Sequence, residues 1–222
     1  MANVIEIGAS DFAAMMCSFV CHDLINPVGA IGNGLEVLAD PTQTEMVEFA
    51  KDLITSSARQ ARARLEFARL AFGASSTAGN DIDTREAERV AQQLFEDEKA
   101  TLEWAIAPML MPKNKVKLLL NMLLIATGGV PRGGTVKAEV TGEPGSETFT
   151  LVATGPKTLL QSAIPALLAG APEDGQINAR VIQPFYTGQL ARETGMVLTI
   201  VLEDGVLNFT AEPQPGDNAE AA

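Results

Sequence analysis

The sequence predicts an α + α/β protein in which an antiparallel helical hairpin forms a dimeric four-helix bundle and is followed by an α/β domain. Three observations predict this architecture. Apolar residues recur at three- and four-residue steps through residues 11–72. The run GASSTAG at 73–79 has the composition of a flexible linker. After it, helical and β-rich stretches alternate, which is typical of a layered α/β domain.

The first two helices are long. We expect one over residues 11–38, with Ser10 as its N-cap and its end near Pro41, and a second over 44–72 with Gly73 as its C-cap. At 1.5 Å per residue, such a hairpin is about 40 Å long. A hairpin alone cannot bury both apolar stripes. A second copy of the chain, related by two-fold symmetry, is the simplest way to bury the remaining apolar surface.

The remainder predicts a mostly antiparallel sheet covered on one face by helices. In order, we expect a helix from Asp81 or Asp83 through Lys99, strand 102–108, helix 113–128, strands 134–141 and 147–153, helices 157–169 and 177–194, and a hairpin over 196–211 that turns at EDG. The predicted domains are therefore the hairpin at 1–75 and the α/β domain at 76–211. Residues 212–222 are rich in Pro, Gly, Ala and acidic residues, and we expect a disordered tail.

Composition excludes several classes of function. The 222 residues include 16 Lys and Arg against 28 Asp and Glu, a net charge of −12 that argues against binding nucleic acid. No apolar run approaches the ~20 residues of a bilayer span, so no membrane is expected. The N-terminus lacks the pattern of a signal peptide, and Cys17 and Cys21 provide no disulfide framework. We therefore expect a cytoplasmic protein in which both cysteines are buried as small hydrophobes.

The chain contains one histidine, His22, on the first helix. Successive helical residues advance by ~100°, which places His22 about 160° from the core-facing Val20 and Leu24, on an exposed stripe of small or polar residues. Pro27 lacks an N–H and crowds the carbonyl of Asp23, so a kink is expected one turn after the histidine. The Asp23 carboxylate can orient the imidazole or accept its proton, which leaves the other ring nitrogen free to act as a nucleophile.

The segment HDLINP at 22–27, which includes Asn26 and Pro27, resembles the H-box of histidine kinases, found in their dimerisation and phosphotransfer hairpin. The elements after it resemble the kinase ATP-binding domain, a Bergerat-like α/β sandwich. The nucleotide motifs depart from that pattern. Asn121 matches the first Asn of the kinase helix, but Ile125 stands where the second Asn holds magnesium, and isoleucine cannot ligate that ion.

The next nucleotide motif is also incomplete, because Ala153 stands in place of the adenine-binding Asp and only Gly155 of its glycines is kept. No glycine-rich lid precedes the helix over 177–194. Together these departures argue against ATP binding and against an intrinsic metal.

The runs CHDLINPVGAIGNGLEVLADP and RLAFGAS resemble the alphaproteobacterial family of histidine phosphotransferases. That resemblance implies that His22 takes a phosphoryl group from the receiver aspartate of a CckA-like hybrid histidine kinase. It would then pass the group to CtrA-like and CpdR-like response regulators, whose receivers would supply Mg²⁺.

A hairpin turn centred near Pro41 would place Arg59 and Arg62 at the depth of His22, where they could contact an acidic receiver or the transferred phosphate. The alternative for these arginines is a solvated helix face. Two other functions stay open: an ATP-dependent histidine kinase with degenerate nucleotide motifs, and a non-catalytic dimeric scaffold that docks receivers.

Overall fold

The computed structural model describes residues 4–73 and 81–214. The chain begins with an antiparallel hairpin of α1 (Ala9–Ala39) and α2 (Val47–Ala71), joined through a 3-10 turn at Thr44–Met46. The predicted hairpin is confirmed. The N-cap of α1 is Gly8 rather than Ser10. The helix continues through Pro27, which is buried.

A close approach of the two helices sets their register. A Cβ added at Gly34 of α1 would lie 2.6 Å from Cγ1 of Ile54 and 3.1 Å from the carbonyl oxygen of Ala50, both on α2. Only glycine fits there without displacing α2. By contrast, a Cβ at Gly32 would meet no atom within 4 Å.

The elements of the α/β domain are β1 (Asp81–Asp83), α3 (Thr84–Phe95), β2 (Ala100–Ala105), β3 (Leu110–Pro112), α4 (Lys113–Gly128), β4 (Gly134–Thr141), β5 (Thr148–Thr154), α5 (Ile164–Leu168), α6 (Ile182–Glu193), β6 (Met196–Glu203) and β7 (Val206–Pro213). They build a five-stranded sheet in the order β2-β4-β5-β7-β6, in which the β2–β4 pair is parallel and the other pairs are antiparallel. A separate two-stranded antiparallel sheet pairs β1 with β3.

The core lies between one face of this sheet and the helices. Alternate residues of the central strands, such as Phe149, Leu151 and Phe209, are fully buried, whereas their neighbours are partly exposed. Helix α4 is buried over nearly its whole circumference because it packs against the sheet, α6 and α2. The predicted fold class, a helical hairpin followed by an α/β domain, is confirmed.

Several predicted boundaries are wrong. The helix expected over 157–169 is only Ile164–Leu168, and the one expected over 177–194 is Ile182–Glu193. In both helices a proline, Pro165 or Pro184, lies in the first turn, where its missing N–H is tolerated but from which the helix cannot extend backwards. The short β1–β3 sheet was not predicted.

The predicted domain limits fall partly where the structure gives no description. Strand β7 runs through Pro213, two residues into the predicted tail. The boundary at 75/76, residues 74–79 of the predicted linker and residues 215–222 of the tail lie outside the described residues.

Helix α1 has the length and apolar composition of a membrane-crossing helix, alone among the helices of residues 4–73 and 81–214. Only 6% of its most apolar stretch is buried within the chain. The expectation that no stretch meets these criteria is therefore wrong for α1. A bundle helix that carries a broad apolar face has the same composition.

Candidate functional site

His22 projects from the middle of α1 into solvent, with its side chain 84% exposed. Its Nδ1 lies 3.9 Å from Oδ1 of Asp23, which is longer than a hydrogen bond but close enough for electrostatic attraction. This neighbour favours a proton on Nδ1, which leaves the lone pair of Nε2 directed away from Asp23. The predicted exposure of the histidine is confirmed.

Asp23 is partly buried beside His22. Burial raises the pKa of its carboxyl group above the ordinary value, although the charges of Arg64 and His22 oppose this shift. The charges of Arg64 and His22 favour the ionised carboxylate, which is the form of Asp23 that attracts the Nδ1 proton of the imidazole.

The helix face around His22 is open. Ser18 and Asn26, one turn before and after the histidine, are exposed, and a Cβ added at Gly29 would meet no atom within 4 Å. A partner can therefore bring its backbone close to the imidazole from this side.

The arginine that reaches the histidine segment is Arg64, not Arg59 or Arg62. Nη1 of Arg64 donates a long hydrogen bond of 3.5 Å to the carbonyl oxygen of Asp23. Because the connection between the helices continues to Met46, the hairpin turns later than Pro41 and the register of α2 shifts. Arg59 lies five residues from Arg64, about 7 Å along the helix axis.

The other arginines of α2 mostly bind the second domain. Arg59 pairs with Asp97 at 3.0 Å, in the turn that follows α3, whereas Arg62 lies 3.8 Å from Glu66 of its own helix and is 71% exposed. Three further ion pairs join α2 to α3 and its following turn: Arg64–Glu98 at 3.7 Å, Glu66–Arg89 at 2.8 Å and Arg69–Glu86 at 3.5 Å. The solvated-face interpretation thus holds for Arg62 only. The basic run was visible in the sequence, but its acidic partners were not.

Cys17 and Cys21 are both exposed, so the prediction that they are buried is wrong for the single chain. They share a face of α1 with Val28 and Leu35, which are also exposed. The buried residues of α1, which are Met16, Pro27 and Gly34, lie on a different face, and Gly34 on that face approaches α2. A hydrogen bond with Cys17 raises the pKa of the Cys21 thiol. Within the described residues, no group of three His, Cys, Asp or Glu side chains is placed to hold a metal ion.

The residues that match kinase nucleotide motifs have packing roles. Asn121 is fully buried, and its side-chain amide donates to the carbonyl oxygens of Ala71 at 3.1 Å and Lys117 at 2.9 Å. Ile125 lines a cavity of about 180 Å³ whose walls are mostly apolar.

The retained motif glycine, Gly155, is a site of close backbone packing, as is Gly188 of α6, which belongs to no nucleotide motif. A Cβ at Gly155 would lie 2.4 Å from the carbonyl oxygen of Gly133, and one at Gly188 would overlap the carbonyl of Leu168. The Asp position of the motif is filled by Ala153, which is fully buried on the inner face of β5.

Comparison with known proteins agrees with this geometry. Residues 84–205 match the model of the histidine phosphotransferase C-terminal domain family. The chain is 44% identical over 212 residues to the protein phosphotransferase ChpT of Brucella abortus, covering 96% of this chain and all of that protein. It is also similar to a solved bacterial phosphotransferase, with 43% identity, a TM-score of 0.87 and coverage of 95% of this chain and 100% of the other.

The matches extend from the hairpin that carries His22 to the last strands of the sheet. They support a role in phosphoryl transfer within a phosphorelay. The chain belongs to the histidine phosphotransferase family.

Proposed function

We propose that His22 is the phosphoryl carrier of this protein and that it exchanges the group with aspartates of receiver domains. The observation that carries the proposal is an exposed imidazole whose Nδ1 faces the carboxylate of Asp23 while Nε2 is open to a partner. Transfer of this kind depends on in-line placement and charge stabilisation.

The reaction requires no oxidant or nucleotide. The Nε2 lone pair attacks the phosphorus of a receiver acyl phosphate, an N–P bond forms, and the P–O bond to the receiver carboxylate breaks with its electrons leaving on that oxygen. Asp23 holds the Nδ1 proton as positive charge develops on the ring. In the second half, a carboxylate of another receiver attacks phosphorus, and the N–P electrons return to Nε2.

The partners that fit this chemistry are the receiver of a CckA-like hybrid kinase as donor and CtrA-like or CpdR-like regulators as acceptors. Mg²⁺ would come with the receiver, whose acyl phosphate needs charge neutralisation. Ile125 and Ala153 at the nucleotide-motif positions support transfer without ATP. Arg62, exposed on α2, is available to attract an acidic receiver surface.

The acting form would be a cytoplasmic homodimer. Its support is the uncovered apolar face of the hairpin, on which Val28 is 56% and Leu35 54% exposed. Packing two such faces together would bury them in a four-helix bundle. Light scattering should give twice the 23.4 kDa of one chain.

A relay assay tests the proposal. Labelled phosphate on a donor receiver should reach an acceptor receiver only when the protein is present, and His22→Ala should abolish this transfer while its circular dichroism stays unchanged. Transfer that persists with His22→Ala would refute the carrier role and favour a docking scaffold. A rise in melting temperature on adding ATP and magnesium would instead favour the kinase alternative.

A further inference from the structure

The carbonyl of Asp23 lacks its usual partner in α1. In an α-helix the N–H of residue 27 donates to the carbonyl oxygen of residue 23, but Pro27 has no N–H. A backbone carbonyl inside a protein carries a free-energy cost if it is left unpaired. Here Nη1 of Arg64, on the neighbouring helix, donates to that oxygen. The hydrogen bond lost to the proline is therefore replaced from outside the helix.

The guanidinium of Arg64 is itself held on two sides. Its Nη2 lies 3.7 Å from Oε1 of Glu98, in the turn after α3, and its side chain is 31% exposed. Arg64 also lines a cavity of about 30 Å³ together with Phe19, Leu24 and Leu94, which belong to α1 and α3. Arg64 thus joins the histidine-bearing turn of the hairpin to the second domain.

We propose that Arg64 is a positioning residue for phosphoryl transfer, which fixes the turn that carries His22 and Asp23 by donating to the carbonyl that Pro27 leaves free. The inference rests on the proposed function. A helical turn without its hydrogen bond can flex, and misplacement of an attacking atom by about 1 Å can cost a factor of ~10² in rate. Glu98 restrains the guanidinium, so the second domain supports the reacting segment through Arg64.

The charge of Arg64 has a second effect on the same segment. It opposes the burial that raises the pKa of Asp23, so it favours the carboxylate that receives the Nδ1 proton. Both effects act through Asp23 rather than on the phosphoryl group.

The experiment measures the rate at which a phosphorylated receiver transfers its group to this protein as a function of receiver concentration. Arg64→Gln should lower the plateau rate about tenfold, the equivalent of one hydrogen bond, and leave the half-saturating concentration unchanged. Arg64→Lys keeps a donor and the charge and should recover part of the rate. Arg85→Gln is the matched control and should show the wild-type rate, because the ion pair of Arg85 among residues 4–73 and 81–214 is with Asp83, two residues away.

A double-mutant cycle with Pro27→Ala separates positioning from a general structural effect. That substitution restores a backbone N–H for the Asp23 carbonyl, so Arg64→Gln should then lower the plateau less than threefold. An equal loss in both backgrounds, or a raised half-saturating concentration with an unchanged plateau, would overturn the inference while leaving the carrier role intact. A wild-type protein that accepts no phosphate would overturn the proposed function itself.

Discussion

Replacing Asn121 by leucine should lower the free energy of unfolding by about 1–3 kcal/mol. Leucine has a similar volume, so the substitution removes hydrogen bonds without leaving a large cavity. The asparagine is buried where α2, α4 and α6 meet, and it binds all three helices.

The magnitude follows from what each partner of Asn121 loses. The carbonyl of Ala71 is one of the last four of α2, which have no helical donor, and Ala71 is fully buried. The asparagine amide donates to this oxygen, and the loss of that hydrogen bond costs about 1–3 kcal/mol. The carbonyl of Lys117 keeps its helical N–H. Nε2 of Gln183 would lose one acceptor, Oδ1 of Asn121. It would still donate to the main-chain oxygen of residue 121 at 3.0 Å and to Oγ1 of Thr187 at 3.1 Å, so the cost at Gln183 is small.

Urea unfolding followed by the fluorescence of Trp104, the only tryptophan, measures this change. For a chain of this length, the same loss corresponds to a fall in melting temperature of roughly 2–12 °C. Asn114→Leu, at the partly exposed start of the same helix, is the matched control and should change stability by less than about 0.5 kcal/mol. If the two variants unfold alike, Asn121 does not link the hairpin to the second domain as argued.

Two further predictions concern packing and ionisation. Gly34→Ala should destabilise the protein by about 1–3 kcal/mol, because the added Cβ would overlap Ile54. Gly32→Ala on the same helix should instead stabilise it by about 0.5–1 kcal/mol, because no atom lies within 4 Å of its added Cβ. Thermal unfolding measures both variants, and a change in melting temperature in the same direction for the two would contradict the register of the hairpin helices. Burial and the charge of Glu193 raise the pKa of Tyr186, the only tyrosine, to about 12. The neutral phenol of Tyr186 should therefore contribute fully to stability below pH ~10, and this contribution should be lost as pH rises through 12. An absorbance titration of the phenol with a midpoint near 10, in protein that circular dichroism shows to be folded, would refute the burial of Tyr186.

The long helices were predictable because their apolar period persists over many turns. Helix α1 was expected over 11–38 and is Ala9–Ala39, and a strong local signal of this kind survives any tertiary context. The helix predicted over 157–169 was wrong for the opposite reason. Its residues have helical propensity, but Pro165 restricts the helix to a single short segment, and residues 157–163 before it are mostly irregular backbone. Tertiary contacts decide whether such weakly helical segments form helices, and those contacts leave no periodic pattern in the sequence.

The candidate site likewise has local features that the sequence predicts and other features that depend on tertiary contacts. The exposure of His22 and the neighbouring acid depend on helical geometry within one segment, which the sequence determines directly. The choice between Arg59, Arg62 and Arg64 depends on how far along the chain the hairpin turns, and an error of a few residues there moves the facing arginine by a full helical turn. The side of α1 that carries Cys17 was predicted as core because a helical wheel does not show how many neighbours cover the apolar face.

The surviving nucleotide-motif residues show what the fold itself requires of them. Asn121 pairs with the end of α2, and Gly155 allows two backbone segments to meet where a Cβ would collide. Each of these would be needed whether or not a nucleotide were bound. The positions that a nucleotide or magnesium ion would have contacted through side chains, in contrast, are occupied by Ile125 and Ala153, whose side chains contribute only to packing. A motif residue kept for packing is therefore no sign of ligand binding, and the exposed pair of His22 and Asp23, which packing does not require, is the stronger indicator of chemistry.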